Sequence, residues 1–353
     1  MKKQWSILFF LVLIIFSSKF IGPLFSAPLH STSNSKIILG RYLFFDNKLS
    51  YNQTKSCASC HDPQFAFSDG YRKSVGADGE NLRRNAPSIL NIKYLKALTW
   101  GDSTVHSFSQ QLVFPLFNEH PKELGWINND LEIIDRFKQD PFYQTLFSKA
   151  FPKEKNPFSL VFFQEAITAF ENQLESQNSP YDQYVKGNKT AMNEKAIKGL
   201  ALFNSARLGC FKCHSLNVSQ QQLLYVNTGL YNLDEIGSYP ASDQGLYEIT
   251  KNNSDKGKFR VPSLRNVMLT APYTHDGSVE TIQQMIYIYK RGGRLIEAKE
   301  NNGDGSINKN KSTLINGFTL RDKEQTELIE FLAALTDISY LRNKQLTNPF
   351  NKK

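Results

Sequence analysis

Cys57-Ala58-Ser59-Cys60-His61 is the stretch from which the rest of the chain is best read. Its order, C-x-x-C-H, is the attachment signature of a c-type haem. Two thiols add to the two vinyl groups of one porphyrin, and the adjacent His stands beneath the iron as its proximal ligand. A second copy, Cys210-Phe211-Lys212-Cys213-His214, uses the other two of the chain's 4 cysteines, so none is left for a disulfide. Zinc ribbons keep their C-x-x-C pairs much closer together in sequence. A thioredoxin-like redox pair needs neither a His after the second Cys nor a duplicate. Two covalently bound c-type haems are therefore expected, one on Cys57, Cys60 and His61, the other on Cys210, Cys213 and His214.

A helical pattern precedes each motif. Residues 36–45 carry Ile37, Ile38, Leu39, Leu43 and Phe44 on one face, and residues 194–205 carry Ile197, Leu200, Leu202 and Phe203 likewise. Gly40-Arg41-Tyr42-Leu43-Phe44 and Gly199-Leu200-Ala201-Leu202-Phe203 share Gly, Leu and Phe in register, and each leads through a short loop into C-x-x-C-H. This internal repeat predicts a mainly α fold of two cytochrome-c-like haem domains in tandem. Further helices are expected over residues 160–176, over 278–291 with a stop at Gly292-Gly293, and from Thr319 onward. Residues 28–35 read as a linker and 216–259 mainly as loop. Residues 301–310 read as a plain turn, because Asp304-Gly305 lacks the ligand spacing of a calcium-binding EF-hand. Ser179-Pro180 and Gly187-Asn188 place a boundary near residue 188, giving an N-terminal domain 28–188 and a C-terminal domain 189–353. The polar tail beyond Leu341 is expected to be frayed or draped on the surface, where it can pack back on the first domain.

The length of 353 residues suits two ordinary domains, and 26 Phe and 15 Tyr suit apolar walls around porphyrins. The formal charge of +9 falls to +6 when Lys2, Lys3 and Lys19 are set aside, and haem propionates would lower it further. Such a balance gives no indication of a nucleic-acid partner. Lys2 and Lys3, the apolar run over residues 7–16 and the small residues Ser26-Ala27 form an export signal over residues 1–27, with an uncleaved anchor as the alternative. Periplasmic export agrees with c-type haem attachment, which occurs outside the cytoplasm.

The sixth position of each iron separates a catalyst from a carrier: a strong ligand there blocks substrate, whereas an open position admits peroxide. No Met lies between Met1 and Met192, and no His between His61 and His106. His106 and His120 stand in polar segments, as surface histidines do, so the first haem is expected to be five-coordinate. The second unit offers Met192, Met268, Met285, His275 and Tyr289. Met285 and Tyr289 are four apart on one expected helix and share a face. Spacing alone does not choose between them.

These motifs resemble those of the bacterial di-haem cytochrome c peroxidase family, including its MauG branch. The resemblance runs from about Lys36 to Asp337. It is carried by Leu43-Phe44-Phe45-Asp46, Ala66-Phe67-Ser68-Asp69-Gly70, Arg84-Asn85-Ala86-Pro87-Ser88, Val261-Pro262-Ser263-Leu264-Arg265-Asn266-Val267 and Tyr273-Thr274-His275-Asp276-Gly277. It implies roles that spacing does not assign. Trp100 would relay electrons between the haems, Gln111 and Pro115 would line the first distal pocket, and Glu123 would be its acid-base residue. Asn85, Thr270 and Pro272 would hold a calcium ion between the domains. Members that need reductive activation carry a displaceable His near Ser74-Val75-Gly76-Ala77-Asp78-Gly79, and this chain has none there. Fourteen residues after His275, where the peroxidases place a Met, stands Tyr289, as in the MauG branch. Tyr289 is thus the preferred distal ligand of the second haem, with Met285 in reserve. The implied activity is hydrogen-peroxide reduction with electrons from a small cytochrome c or cupredoxin, or MauG-like oxidation of a partner protein. A non-catalytic di-haem carrier is the rival. The family often forms homodimers.

Overall fold

The structure is a computed structural model that describes residues 29–220, 223–234, 236–298 and 300–351. The export signal expected over residues 1–27 lies outside the described residues. Among those described, no helix is long and apolar enough to cross a membrane.

The chain is mainly helical. Leu29–Phe45 forms α1 and Phe108–Phe117 forms α2; Asp130–Lys138 is α3, Pro141–Ala150 is α4 and Leu160–Glu171 is α5. Then follow α6 over Pro180–Val185, α7 over Glu194–Phe203, α8 over Tyr247–Thr250, α9 over Ile282–Arg291 and α10 over Asp322–Ala334. Two antiparallel ribbons are the named strands: Tyr225–Val226 (β1) pairs with Phe259–Arg260 (β2), and Leu295–Ile296 (β3) with Gly303–Asp304 (β4).

Glycine explains the repeated Gly-x-x-Leu-Phe pattern. A Cβ on Gly40 of α1 would stand 1.8 Å from the Ala166 carbonyl oxygen of α5, and one on Gly199 of α7 would stand 1.9 Å from the Glu327 oxygen of α10. Each helix pair crosses at backbone contact. Just beyond each crossing the Phe of the repeat meets a Phe of its partner, Phe44 with Phe170 at 5.1 Å and Phe203 with Phe331 at 5.3 Å. Each pair closes a core behind its own C-x-x-C-H loop. Leu39, Leu43, Trp126, Phe137, Phe147 and Phe163 form the first, and Met192, Phe203, Leu328, Phe331 and Leu332 the second.

Gly199→Ala is expected to destabilise the haem-loaded protein despite the better helix propensity of Ala. The propensity gain is about 1 kcal/mol, and forcing a methyl into a backbone oxygen costs about 3 kcal/mol. The midpoint of guanidinium unfolding should fall accordingly. An unchanged midpoint would mean that α7 and α10 do not cross at this residue.

Several boundaries differ from the sequence reading. The helix before the first motif begins at Leu29, inside the segment read as linker. The helix read over 160–176 stops at Glu171, after which the chain turns through Asn172 and Gln173. The helix expected from residue 278 begins at Ile282, because Thr281 caps it through a capping box with Gln284. The last helix begins at Asp322 rather than near Thr319. Residues 303–307 are a strand and a 3-10 turn instead of plain turn, and Asp304 forms a bidentate pair with Arg291 at 2.6 Å per bond. The tail packs on the first unit: Tyr340 and Leu346 are buried with Phe44, Phe67 and Phe170, the Tyr340 hydroxyl donates to the Pro63 carbonyl at 2.9 Å, and Arg41 Nε donates to the Thr347 carbonyl at 2.8 Å.

Candidate active site

Each C-x-x-C-H segment is a single 3-10 turn, Cys57–Ser59 and Cys210–Lys212, which folds the two sulfurs and the following imidazole towards one cavity. Cys57, Cys60 and His61 line a cavity of about 70 Å³. Cys210, Cys213 and His214 line one of about 370 Å³. Burial pushes the Cys60 thiol up to about 12 and the Cys210 thiol to about 11. That is the setting of sulfurs in an apolar wall, and it is opposite to the electropositive setting of a reactive redox cysteine.

Both imidazoles are held through Nδ1 by a backbone carbonyl. Nδ1 of His61 is 2.9 Å from the Phe67 carbonyl, and Nδ1 of His214 is 3.1 Å from the Pro262 carbonyl. A carbonyl only accepts, so Nδ1 carries the proton in each ring and Nε2 keeps its lone pair, the tautomer a metal-ligating His needs. Burial lowers the pKa of both rings, that of His214 to about 4, which keeps them neutral. The motifs around Phe67 and Pro262 thus gain a physical role. Ala66 and Phe67 both adopt left-handed backbone, at φ 55° and 57°, and their turn brings the Phe67 carbonyl to the ring. Paired thiols, a neutral imidazole and apolar walls fit a covalently held haem at each site.

The first cavity also gathers Gln111, Pro115 and Glu123. Gln111 and Pro115 are one turn apart on α2 and share a face. The Glu123 loop is pinned from two sides. Ala77 N–H donates to the Lys122 and Glu123 carbonyls at 2.9 and 3.0 Å, and Leu124 N–H donates to the Pro115 carbonyl at 3.0 Å. Burial pushes the Glu123 carboxyl up to about 7. Val75 and Gly76 form another part of the wall, and a Cβ on Gly76 would come within 2.2 Å of the Lys122 carbonyl oxygen. His106 and His120 are both exposed and outside this cavity; Nδ1 of His106 bonds the Lys96 carbonyl at 2.7 Å. Apart from His61, the cavity wall carries neither His nor Met.

The second cavity narrows the ligand choice. Met192 and Met268 pack in the neighbouring core and do not line it, whereas Met285, Tyr289 and His275 do. His275 is stacked on Phe259 with ring centroids 3.5 Å apart. Arg291, at the end of α9, is locked to Asp304 and so steadies the helix that carries Tyr289. The stretch from Leu82 to Asn91 runs between the two sites: Leu82 and Ile89 line the first cavity, and Asn85, Ser88 and Leu90 the second. Trp100 lies against this stretch, its Nε1–H donating to the Asn85 carbonyl at 2.9 Å. Its own carbonyl accepts from Arg260 N–H at 2.8 Å, and it lines the second cavity. Asn85, Thr270 and Pro272 all border that cavity, with Asn85 N–H donating to the His275 carbonyl at 2.8 Å.

The sequence reading missed Glu171. It ends α5, is 6% exposed, lines the first cavity, and its Oε2 has no hydrogen-bond partner. The repeat could have found it, since Glu171 follows Phe170 as Leu332 follows Phe331.

Comparisons with known proteins agree with this construction. Residues 34–190 match the family model described as di-haem cytochrome c peroxidase. The chain is 32% identical over 330 residues to cytochrome-c peroxidase IdrP1 of Pseudomonas sp. strain SCT, covering 86% of this chain and 81% of that protein. It is 29% identical to methylamine utilization protein MauG of Methylorubrum extorquens, covering 85% and 78%. The solved structure of a MauG-like protein associated with microbial copper homeostasis superposes with a TM-score of 0.87 at 38% identity, covering 95% of this chain and 100% of that one. Haem-attachment motifs, paired cavities and this likeness over most of the chain lead to one conclusion: the protein belongs to the di-haem cytochrome c peroxidase family of oxidoreductases.

Proposed function

We propose that the chain is an exported peroxidase that reduces hydrogen peroxide in the Cys57–Glu123 cavity, with electrons entering through the Cys210–Tyr289 cavity from a small cytochrome c or cupredoxin. The observation that carries this reading is the asymmetry of the cavities. The first has a carboxyl raised to about 7 and no second His or Met on its wall, whereas the second has Met285 and Tyr289 in reach. A haem held by Cys57, Cys60 and His61 would supply the redox-active iron for peroxide reduction, in which two electrons and two protons convert one peroxide to two waters.

The chain's own residues manage the protons and the route. With haem bound, Glu123 would take a proton from one peroxide oxygen and return it to the other, so that water could leave. Gln111, one helical turn from Pro115, holds the peroxide by its amide. His61 and His214 keep their Nε2 lone pairs towards the haem sites because Phe67 and Pro262 hold their Nδ1 protons. Trp100, fixed by Asn85 and Arg260, relays electrons between the sites. Asn85, Thr270 and Pro272 hold a calcium ion that ties the 28–188 and 189–353 domains together; metal analysis of the purified protein finding none would remove this part. Export rests on the pattern of residues 1–27, and the mass of the mature protein distinguishes a cleaved signal from an anchor.

Tyr289 at the MauG-branch position favours a second reading, peroxide-dependent oxidation of a partner protein. Both readings predict high-spin haem in the purified protein and peroxide consumption. Steady-state turnover with a panel of reduced cytochromes and cupredoxins separates them: rapid donor oxidation supports the peroxidase, and turnover only with a protein substrate supports the alternative. Low-spin spectra at both haems, unchanged by peroxide, would defeat both.

A further inference from the structure

The two units repeat the same helix crossing, and the repeat exposes one position where they differ in kind. In the second unit Phe203 meets Phe331, and the next residue, Leu332, lines the second cavity. In the first unit Phe44 meets Phe170, and the next residue, Glu171, lines the first cavity. A buried carboxyl therefore stands where the companion unit has an apolar side chain. Among the described residues it has no salt bridge, and its Oε2 has no hydrogen-bond partner.

An unpartnered buried carboxyl oxygen gives up hydration with no hydrogen bond in return, so a carboxyl at a position that accepts Leu needs a reason. The cavity supplies it. Glu171 shares a wall with Gln111 and Glu123, the residues that the proposed function assigns to peroxide, and with the haem-attachment thiol Cys57. We propose that Glu171 is a second carboxyl of the peroxide site, one that donates a hydrogen bond to the oxygen-bearing molecule held there and so positions it for Glu123. Burial pushes its pKa up to about 8, so the group is a neutral acid near pH 7, with a proton to donate and no charge to bury. Glu123 and Glu171 thereby divide the work: one exchanges the proton, the other orients the oxygen. This inference rests on the reading of the first cavity as the open, reactive site.

Sodium fluoride tests it without turnover. Fluoride binds an open ferric haem and is stabilised by hydrogen-bond donors around it. Wild type should bind fluoride at one haem, as followed by the absorption change. Glu171→Leu, which copies the second unit, should weaken binding about tenfold, the worth of one lost hydrogen bond. Glu171→Gln, which restores a donor of nearly the same shape, should recover most of it. If Glu171→Leu does not take up haem, infrared difference spectra of wild type and Glu171→Gln, with fluoride minus without, decide the matter. A protonated-carboxyl band that moves on fluoride binding in wild type and is missing in Glu171→Gln supports the assignment. Leu and wild type binding fluoride equally, or no such band, overturns it. A wild type that binds no fluoride at all refutes instead the open-site reading on which it stands.

Discussion

Glu123→Gln is expected to lower kcat/KM for hydrogen peroxide by about 10²–10⁴-fold, the range one positioned acid-base group contributes. The amide keeps the shape of the side chain but cannot carry a proton from one peroxide oxygen to the other. Haem content and the spectra of both centres should stay close to wild type, because the loop is pinned by backbone bonds from Ala77 and to Pro115 that do not involve the carboxyl. The pH profile makes the test sharper. Burial raises Glu123 from 4.5 to about 7. The first proton transfer needs the ionised form, which is lost as pH falls through the raised pKa. In wild type kcat/KM should therefore drop about tenfold per pH unit below pH 7, and in Glu123→Gln this limb should vanish. Glu171, raised to about 8 by the same cause, stays neutral across that window and does not supply the limb. Turnover by Glu123→Gln equal to wild type would transfer the acid-base role to another group.

What was legible in the sequence followed from covalent chemistry and from repetition. The C-x-x-C-H order needs no fold to be understood, and the Gly-x-x-Leu-Phe repeat pointed to two units before the glycine contacts with Ala166 and Glu327 gave the reason. The helices α2, α3, α4, α6 and α8 do not stand out in the sequence pattern. In α2, Pro115 breaks the local signal, and the helix is held by capping at Ser107 and by packing of Leu112 and Leu116. In α3 and α4 the buried faces are short, Ile133 with Phe137 and Tyr143 with Phe147, so tertiary packing supplies what periodicity shows weakly. The site residues divide the same way. The thiols and proximal imidazoles were readable from spacing, whereas Gln111, Glu123 and Trp100 came only from resemblance, because they lie 40 to 66 residues from Cys60 or Cys57 in short-range patterns that suit a surface as well as a cavity. Glu171 was legible only through the repeat, and the carbonyls of Phe67 and Pro262 and the Asp304 anchor could not be read at all. Each works through a backbone group or a through-space neighbour, and a string of side-chain types records neither.

Tyr289→Phe should change the absorption spectrum of the second haem and leave that of the first unaltered. The argument rests on where the phenol lies. Tyr289 projects from α9 into the cavity of Cys210, Cys213 and His214, and both cysteines act on it electrostatically. Burial raises the phenol well above its ordinary range in the protein alone, so the apolar cavity opposes a phenolate. Only a positive centre close to the oxygen reverses that preference, which is how a bound metal inverts local proton affinities. An oxygen ligand of this kind holds ferric iron more firmly than a thioether does. Tyr289→Met should therefore raise the midpoint potential of the second centre, on the order of 100 mV or more, given the span of about 0.8 V over which axial ligands set haem potentials. Met285 is one helical turn away on the same face and lines the same cavity, so Tyr289→Phe offers iron an alternative sulfur ligand and should drift towards the spectrum of Tyr289→Met. Spectroelectrochemistry of the three proteins reads both effects. A Tyr289→Phe protein with the wild-type spectrum and potential would return the ligand role to Met285, and with it the expectation that this chain handles electrons as the Met-ligated peroxidases do.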